Sequence, residues 1–286
     1  MKQRFKDMIE KHRWIKGIPN SLTLCNSLCG FTSILITFQA SRNQDSTMSL
    51  FVLSAFMILF AMVFDALDGF AARILNAGSM HGLQMDSLAD MVTFGVAPAC
   101  LVAVMTQTYL KLCCGTKFTF VCILCAVYLG CAALRLATYN VHAILEKKSS
   151  EKFSGLPSPG GAAAICVLVI FAGSAPCLLK PEILVKVLPF YAAILGLLMV
   201  SNIPYTHFAK WIVSCRRDKK RLFFLILLFV LWIASVFIWK AFYDCCNGFA
   251  FPMLVVNIYV IWGPVAFLAV KLGLLRTKVS FPEDNN

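Results

Sequence analysis

The chain contains 286 residues, of which 59% are hydrophobic and only 14% are charged. A soluble domain carries about 25% charged residues, so this composition, with a mean hydropathy of +0.78, excludes an ordinary soluble protein. The formal net charge is +12, but the basic residues cluster between apolar segments. That placement is typical of orientation signals and contacts with anionic membrane lipids, and it argues against nucleic acid as a partner.

Apolar segments and basic connections alternate along the whole chain. Residues 1–18 mix basic and apolar residues, which suits either a helix in the membrane interface or a basic tail that only sets orientation. Eight apolar segments follow, and they cover approximately residues 21–40, 50–74, 84–110, 118–143, 162–177, 183–201, 222–242 and 251–272. Because backbone exposed to lipid must satisfy its own hydrogen bonds, we predict an all-α integral membrane protein with about eight transmembrane helices and an N-terminal interfacial helix.

The distribution of basic residues also predicts the topology. Most of the 26 lysines and arginines lie on one side if the N-terminus is cytoplasmic and the chain crosses the membrane eight times. The side richer in basic residues is the cytoplasmic one. We therefore expect both termini, and the end of the second span where acidic residues cluster, to face the cytoplasm.

Four aspartates lie in an otherwise apolar stretch: Asp65, Asp68, Asp86 and Asp90. The first pair is spaced i, i+3 and the second i, i+4, so each pair shares one face of its helix. Glycines and an asparagine between the pairs predict a tight turn after Arg73. Carboxylates brought together in a low-dielectric region require cations, which predicts one or two hard divalent ions with oxygen ligands.

Polar residues in three other places are candidates for ligand contact. Asn20, Thr23 and Asn26 are spaced to share a face of the first span, where they line either a ligand or a neighbouring helix. Arg135 lies in the fourth span, so it meets an anion or extends to the headgroups. The segment GLPSPGGAAA, residues 155–164, is a plain helix entry or an anion site built from free amides.

Eight residues of the acidic stretch fit the pattern Asp-x2-Asp-Gly-x2-Ala-Arg-x8-Gly-x3-Asp-x3-Asp at every spacing: Asp65, Asp68, Gly69, Ala72, Arg73, Gly82, Asp86 and Asp90. This pattern resembles the signature of the CDP-alcohol phosphotransferases, membrane enzymes of lipid synthesis. The resemblance implies a core of six transmembrane helices at residues 19–205. It leaves residues 1–18 as a basic amphipathic segment, and residues 206–286 as a basic loop with two additional spans and a short tail.

The resemblance also implies roles for individual residues. Asp65, Asp68, Asp86 and Asp90 would hold two Mg²⁺ or Mn²⁺ ions, and Asp90 would also be the catalytic base. The CDP-binding residues expected from it are Asn26, Asp65, Gly69, Ala72, Arg73, Gly82 and Asp86. A cation-coupled transporter is the alternative from another class, but it predicts polar residues spread across several spans, whereas the acidic residues here cluster at one end.

The segments IPNSLTLCN, DSLADMVTFGVAPA, ALRLATYNV, GLPSPGGAA and LMVSNIPY resemble the phosphatidylserine synthases within this family. The substrates implied are CDP-diacylglycerol and L-serine, with membrane lipids around a homodimer in the cytoplasmic membrane. Arg135, Gly155 and Ser158 are the candidates for binding serine or phosphate. Thr138 departs from the pattern, because a basic residue is expected there, and glycerol 3-phosphate and inositol stay open as acceptors.

Overall fold

The computed structural model describes residues 17–43, 47–75, 80–112, 115–145, 155–174, 179–201, 203 and 250–271. All regular structure in these ranges is helical, as predicted. The helices are α1 Ile18–Arg42, α2 Thr47–Ile74, α3 Met80–Asp90, α4 Ala97–Leu110, α5 Thr116–Leu145, α6 Ser158–Ser174, α7 Pro181–Val200 and α8 Ala250–Lys271, with a π-helical turn at Met91–Val96. The expected interfacial helix and the expected span 222–242 lie outside the described residues.

Five helices in the described ranges are long and apolar enough to cross a membrane. They are α1, α2, the continuous rod from α3 through α4, α5 and α7. α6 and α8 are also apolar, but their apolar segments are shorter than those of the five spans. The chain is therefore a helical membrane protein, while the number of eight spans remains a prediction.

The first two helices pair along their lengths. A buried group of hydroxyls joins them, because Ser54 Oγ lies 2.8 Å from Ser33 Oγ and 2.6 Å from Thr37 Oγ1. Inside a membrane the hydrophobic effect does not drive helices together, because the lipid tails are as apolar as the side chains. Short polar side chains such as these stabilise the helix pair by hydrogen bonding instead. The outer face of α1 instead exposes large apolar side chains, as a lipid-facing surface does: Leu24, Leu28, Phe31, Leu35 and Phe38.

Helix α6 lies at the centre of the bundle. It is buried on nearly all sides and packs against α2, α7 and α8, as expected of a helix that is apolar around its whole circumference. The sequence placed the start of this span near residue 162, but the helix begins at Ser158. Pro159 causes the difference, because proline is well suited to the first turn of a helix, where its missing N–H is not needed.

The interior of the third span contains a departure from α-helical geometry. The backbone N–H of Ala97 donates to the carbonyl of Val92, a bond across five residues rather than four. Pro98 accounts for it locally, since proline has no N–H to donate to the carbonyl of Phe94 and its ring would clash there. That carbonyl accepts a 2.8 Å hydrogen bond from the Tyr128 hydroxyl on α5 instead.

Candidate metal centre

Three of the four aspartates come together where the C-terminal part of α2 meets α3. One carboxylate oxygen from each of Asp65, Asp68 and Asp86 lies within 4.8 Å of the other two. Asp65 and Asp68 share a face of α2 because they are three residues apart. Asp86 reaches the same point from α3, so the two helices supply the group jointly.

Two buried carboxylate oxygens in this group favour a cation as its ligand. Asp68 is 4% exposed. Within the described part of the chain, its Oδ2 atom and the Oδ1 atom of Asp86 are buried without a hydrogen-bond partner. Buried carboxylate oxygens are costly unless a positive charge or donor meets them. An all-carboxylate donor set is the kind that Mg²⁺ and Mn²⁺ prefer, so these residues fit a hard divalent ion.

Asp90 is not a member of this group of three. Its Oδ1 atom accepts a 3.1 Å hydrogen bond from the Nδ2 amide of Asn26 on α1. It still lies close enough to the group for their charges to interact. The structure therefore divides the expected set of four carboxylates into three that converge and one that a neighbouring helix orients.

Of the three polar residues expected to share a face of the first span, Thr23 and Asn26 face the protein interior and Asn20 is half-buried. Asn26 is fully buried and Thr23 is 5% exposed, and the Thr23 hydroxyl donates to the carbonyl of Pro19. The Oδ1 atom of Asn26 is buried without a hydrogen-bond partner among the described residues. α1 also contacts the π-helical turn, since Thr93 Oγ1 donates to the backbone carbonyl of Asn26 at 3.1 Å.

The other residues expected to contact the nucleotide lie on the same two helices, α2 and α3. Gly69, Ala72 and Gly82 are half-buried. A Cβ atom at Gly69 would meet no described protein atom within 4 Å, so protein packing does not require glycine there. Arg73 belongs to α2, but its side chain lies outside what the structure describes.

Two of the residues expected at the acceptor also come together. The Arg135 guanidinium donates from Nη1 to the carbonyl of Met199 at 3.1 Å, at the C-terminal end of α7. Gly155 lies against both groups and adopts a φ of +90°, and its N–H donates to the Ile203 carbonyl at 2.7 Å. Ser158 is the first residue of α6 and is 4% exposed. Thr138 is exposed, and its hydroxyl donates to the Leu134 carbonyl on its own helix.

One hydrogen bond beside the aspartates, between α3 and α5, was not predicted from the sequence. The Ser87 hydroxyl, on α3 between Asp86 and Asp90, donates to Asn140 Oδ1 on α5 at 2.8 Å. An asparagine in a long apolar helix is itself a signal, because such a group needs a partner inside the membrane. The pattern did not reveal which partner it would find.

Comparison with known proteins gives a consistent result. A sequence model of the CDP-alcohol phosphatidyltransferase family matches residues 16–204. A CDP-diacylglycerol–serine O-phosphatidyltransferase of Helicobacter pylori is 32% identical over 262 residues, which is 91% of this chain and 94% of the relative. One of Bacillus subtilis is 34% identical over 195 residues, covering 68% of this chain and 92% of the relative. An archaetidylserine synthase of Methanothermobacter thermautotrophicus is 31% identical over 153 residues, covering 52% of this chain and 56% of the relative.

Proposed function

Because the chain belongs to the CDP-alcohol phosphatidyltransferase family, we propose that it transfers the phosphatidyl group of CDP-diacylglycerol to the hydroxyl of L-serine, with release of CMP. The observation that carries the proposal is the convergence of Asp65, Asp68 and Asp86 within 4.8 Å, beside a separately held Asp90. The choice of serine rests on the names of the relatives from Helicobacter pylori and Bacillus subtilis.

The four aspartates hold two divalent ions, Mg²⁺ or Mn²⁺, in this proposal. Asp65, Asp68 and Asp86 are the main ligands, and Asp90 completes the set beside one ion. The buried oxygens Asp68 Oδ2 and Asp86 Oδ1 support it, because neither atom has a hydrogen-bond partner in the described protein. Ions bound there would neutralise the diphosphate and stabilise the leaving CMP phosphate.

Asp90 accepts the proton of the attacking hydroxyl. Its Oδ1 atom is occupied by the Asn26 amide, so the carboxylate has a defined orientation and its second oxygen is the one available for the proton. A general base must lie within hydrogen-bond reach of the proton it removes. The bond from Asn26 fixes the orientation of Asp90 for this role. The hydroxyl oxygen then forms a bond to the lipid-side phosphorus while the bond from that phosphorus to CMP breaks.

The remaining site residues bind the two substrates. Gly69, Ala72, Arg73 and Gly82 lie along CDP, together with Asn26 and the nearby aspartates. The open space over Gly69 supports a close approach of the ligand to α2. Arg135, Gly155 and Ser158 bind the serine carboxylate or a phosphate, because a guanidinium beside a helix start is suited to an anion.

We place the enzyme in the cytoplasmic membrane as a homodimer with eight spans, both termini inside, an N-terminal interfacial helix and two C-terminal spans outside the core of residues 19–205. The positive charge of the connections supports this orientation. A water-soluble nucleotide product then leaves from the cytoplasmic side, while the acyl chains stay in the bilayer.

The proposal is tested by CMP release from CDP-diacylglycerol by the purified full-length protein with Mn²⁺. Serine, inositol, glycerol 3-phosphate and water are supplied in parallel. Asp90→Asn removes the proposed base, and Glu182→Gln is the matched control, since Glu182 is exposed at the end of α7 opposite to Met199.

We expect release that depends on serine, is lost in Asp90→Asn and is retained in Glu182→Gln. Release with inositol or glycerol 3-phosphate instead would overturn the acceptor and leave the chemistry intact. Folded protein that binds Mn²⁺ but releases no CMP with any acceptor would overturn the enzymatic function.

A further inference from the structure

The π-helical turn at Met91–Val96 separates the aspartates of α3 from the packed helix α4. It begins at the residue directly after Asp90. Such turns contain one more residue than an α-helical turn, and they occur often at functional sites. Its position makes it the element that sets how Asp86 and Asp90 are rotated relative to the rest of the bundle.

The hydroxyl of Tyr128 holds this turn from the side of α5. It donates a 2.8 Å hydrogen bond to the carbonyl of Phe94, inside the turn, and both side chains are fully buried. In an α-helix that carbonyl would accept from residue 98, which is Pro98 and has no N–H. The tyrosine thus supplies a donor that the helix itself lacks at that position.

Thr93 holds the same turn from the side of α1. Its hydroxyl donates to the backbone carbonyl of Asn26 at 3.1 Å, and the residue is fully buried. The helices approach closely here, because a Cβ atom at Gly30 would lie 2.5 Å from Thr93 Oγ1. Asn26 in turn donates to Asp90, so the turn and the proposed base are linked through one residue of α1.

A loss of the π-helical geometry would move the aspartates. A full conversion to an α-helix would shift the register by one residue, which is a rotation of about 100° and a rise of about 1.5 Å. Pro98 opposes that conversion, so we expect a partial rotation of α3 when the anchors of the turn are lost. α4 cannot follow freely, because most of it is buried against α1, α5 and α7. The movement would fall on α3, and it would take Asp86 away from Asp65 and Asp68.

We propose that Tyr128, together with Thr93, is a positioning residue that anchors the π-helical turn set by Pro98 to α5 and α1 and thereby keeps Asp86 and Asp90 in register with the aspartates of α2. This inference rests on the proposed function for its catalytic consequence. Its structural consequence, the spacing of the carboxylates, is independent of which alcohol is the acceptor. A merely structural tyrosine would lower stability when changed and would leave the metal centre of the folded protein as it was.

The test compares Tyr128→Phe with Tyr191→Phe in the full-length protein. Tyr191 is the matched control, because its hydroxyl also bonds a neighbouring helix, donating to Asn257 Oδ1 at 2.5 Å between α7 and α8. Thr93→Val removes the second contact, and Thr93→Ser restores its hydroxyl. For each variant, Mn²⁺ affinity is measured by electron paramagnetic resonance, unfolding by thermal denaturation, and kcat and KM for serine by CMP release.

We expect Tyr128→Phe to weaken Mn²⁺ binding and to lower kcat, each by roughly tenfold or more. Removing a group that orients metal ligands typically has an effect of this size. KM for serine should change little, and Tyr191→Phe should match the wild type in Mn²⁺ affinity. Thr93→Val should act in the same direction, and Thr93→Ser should recover most of the loss.

The inference is overturned if Tyr128→Phe lowers the unfolding temperature while Mn²⁺ affinity and kcat of the folded protein equal those of the wild type. It is also overturned if Thr93→Ser behaves as Thr93→Val. A wild-type protein that binds Mn²⁺ but transfers nothing to serine would contradict the proposed function alone, because the comparison of Mn²⁺ affinities would still decide the role of Tyr128.

Discussion

The Nδ2 amide of Asn26 donates a 3.1 Å hydrogen bond to Oδ1 of Asp90, across a separation of 64 positions in the chain. The bond joins the first span to the end of α3 at the proposed base. Only the nitrogen of an amide can donate to a carboxylate, so the contact also assigns which way the Asn26 side chain is oriented. Its oxygen is left buried and without a partner in the described protein.

Asn26→Leu removes this bond while keeping the volume of the side chain nearly constant. We expect kcat for transfer to serine to fall by about 10- to 100-fold, since groups that orient catalytic carboxylates have effects of this size. Asn257→Leu is the control, because Asn257 bonds Tyr191 between α7 and α8, so its loss should lower stability and leave kcat of the folded protein unchanged. KM for CDP-diacylglycerol should rise as well, since Asn26 is also proposed to contact CDP. An unchanged kcat would show that Asn26 does not orient Asp90.

Asp68→Asn should abolish metal binding without harming the metal-free fold. Asp68 is 4% exposed and close to two other carboxylates, so removing its charge relieves repulsion in the absence of a cation. With a chelator present, we expect the variant to unfold at the same temperature as the wild type or a higher one. Added Mn²⁺ should raise the unfolding temperature of the wild type only, because a ligand stabilises the state that binds it. An equal Mn²⁺ effect in both proteins would refute a metal role for Asp68.

Gly69→Ala tests whether CDP-diacylglycerol approaches α2 closely. No described protein atom lies within 4 Å of a Cβ at Gly69 or at Gly130, so both substitutions are sterically free in the protein alone. Alanine also favours a helix over glycine by about 1 kcal/mol, so neither variant should be less stable. We expect KM for CDP-diacylglycerol to rise severalfold in Gly69→Ala and to stay unchanged in Gly130→Ala. Equal kinetics in the two variants would remove Gly69 from the nucleotide site.

Gly155→Ala should destabilise the protein and disturb the acceptor site together. Gly155 has a φ of +90°, and a Cβ there would lie 2.3 Å from the Met199 carbonyl oxygen. Strain of this kind costs about 1–3 kcal/mol. The same carbonyl accepts from Arg135, so displacing it should also raise KM for serine. Gly160→Ala, where the nearest atom would be 3.7 Å away, should leave both the unfolding temperature and KM close to those of the wild type.

Hydropathy and spacing predicted much of the helical architecture. The second and fourth spans, expected at residues 50–74 and 118–143, correspond to α2 Thr47–Ile74 and α5 Thr116–Leu145. The third span was expected to be a regular helix and contains the π-helical turn instead. Pro98 lies in the middle of the predicted span, where a proline signals an interruption of the helical hydrogen bonds, but nothing local shows what form the interruption takes or that Tyr128 supplies a donor there.

By itself, the sequence determined the membrane class, the helical periodicity and the pairing of aspartates on each helix, because these depend on composition and on residues three or four positions apart. It also carried the family signature. Which carboxylates converge, which helix orients Asp90, and how the π-helical turn is held were decided only by the tertiary structure. Those contacts join residues 64 and 34 positions apart, so they exist only once the helices have packed in one register.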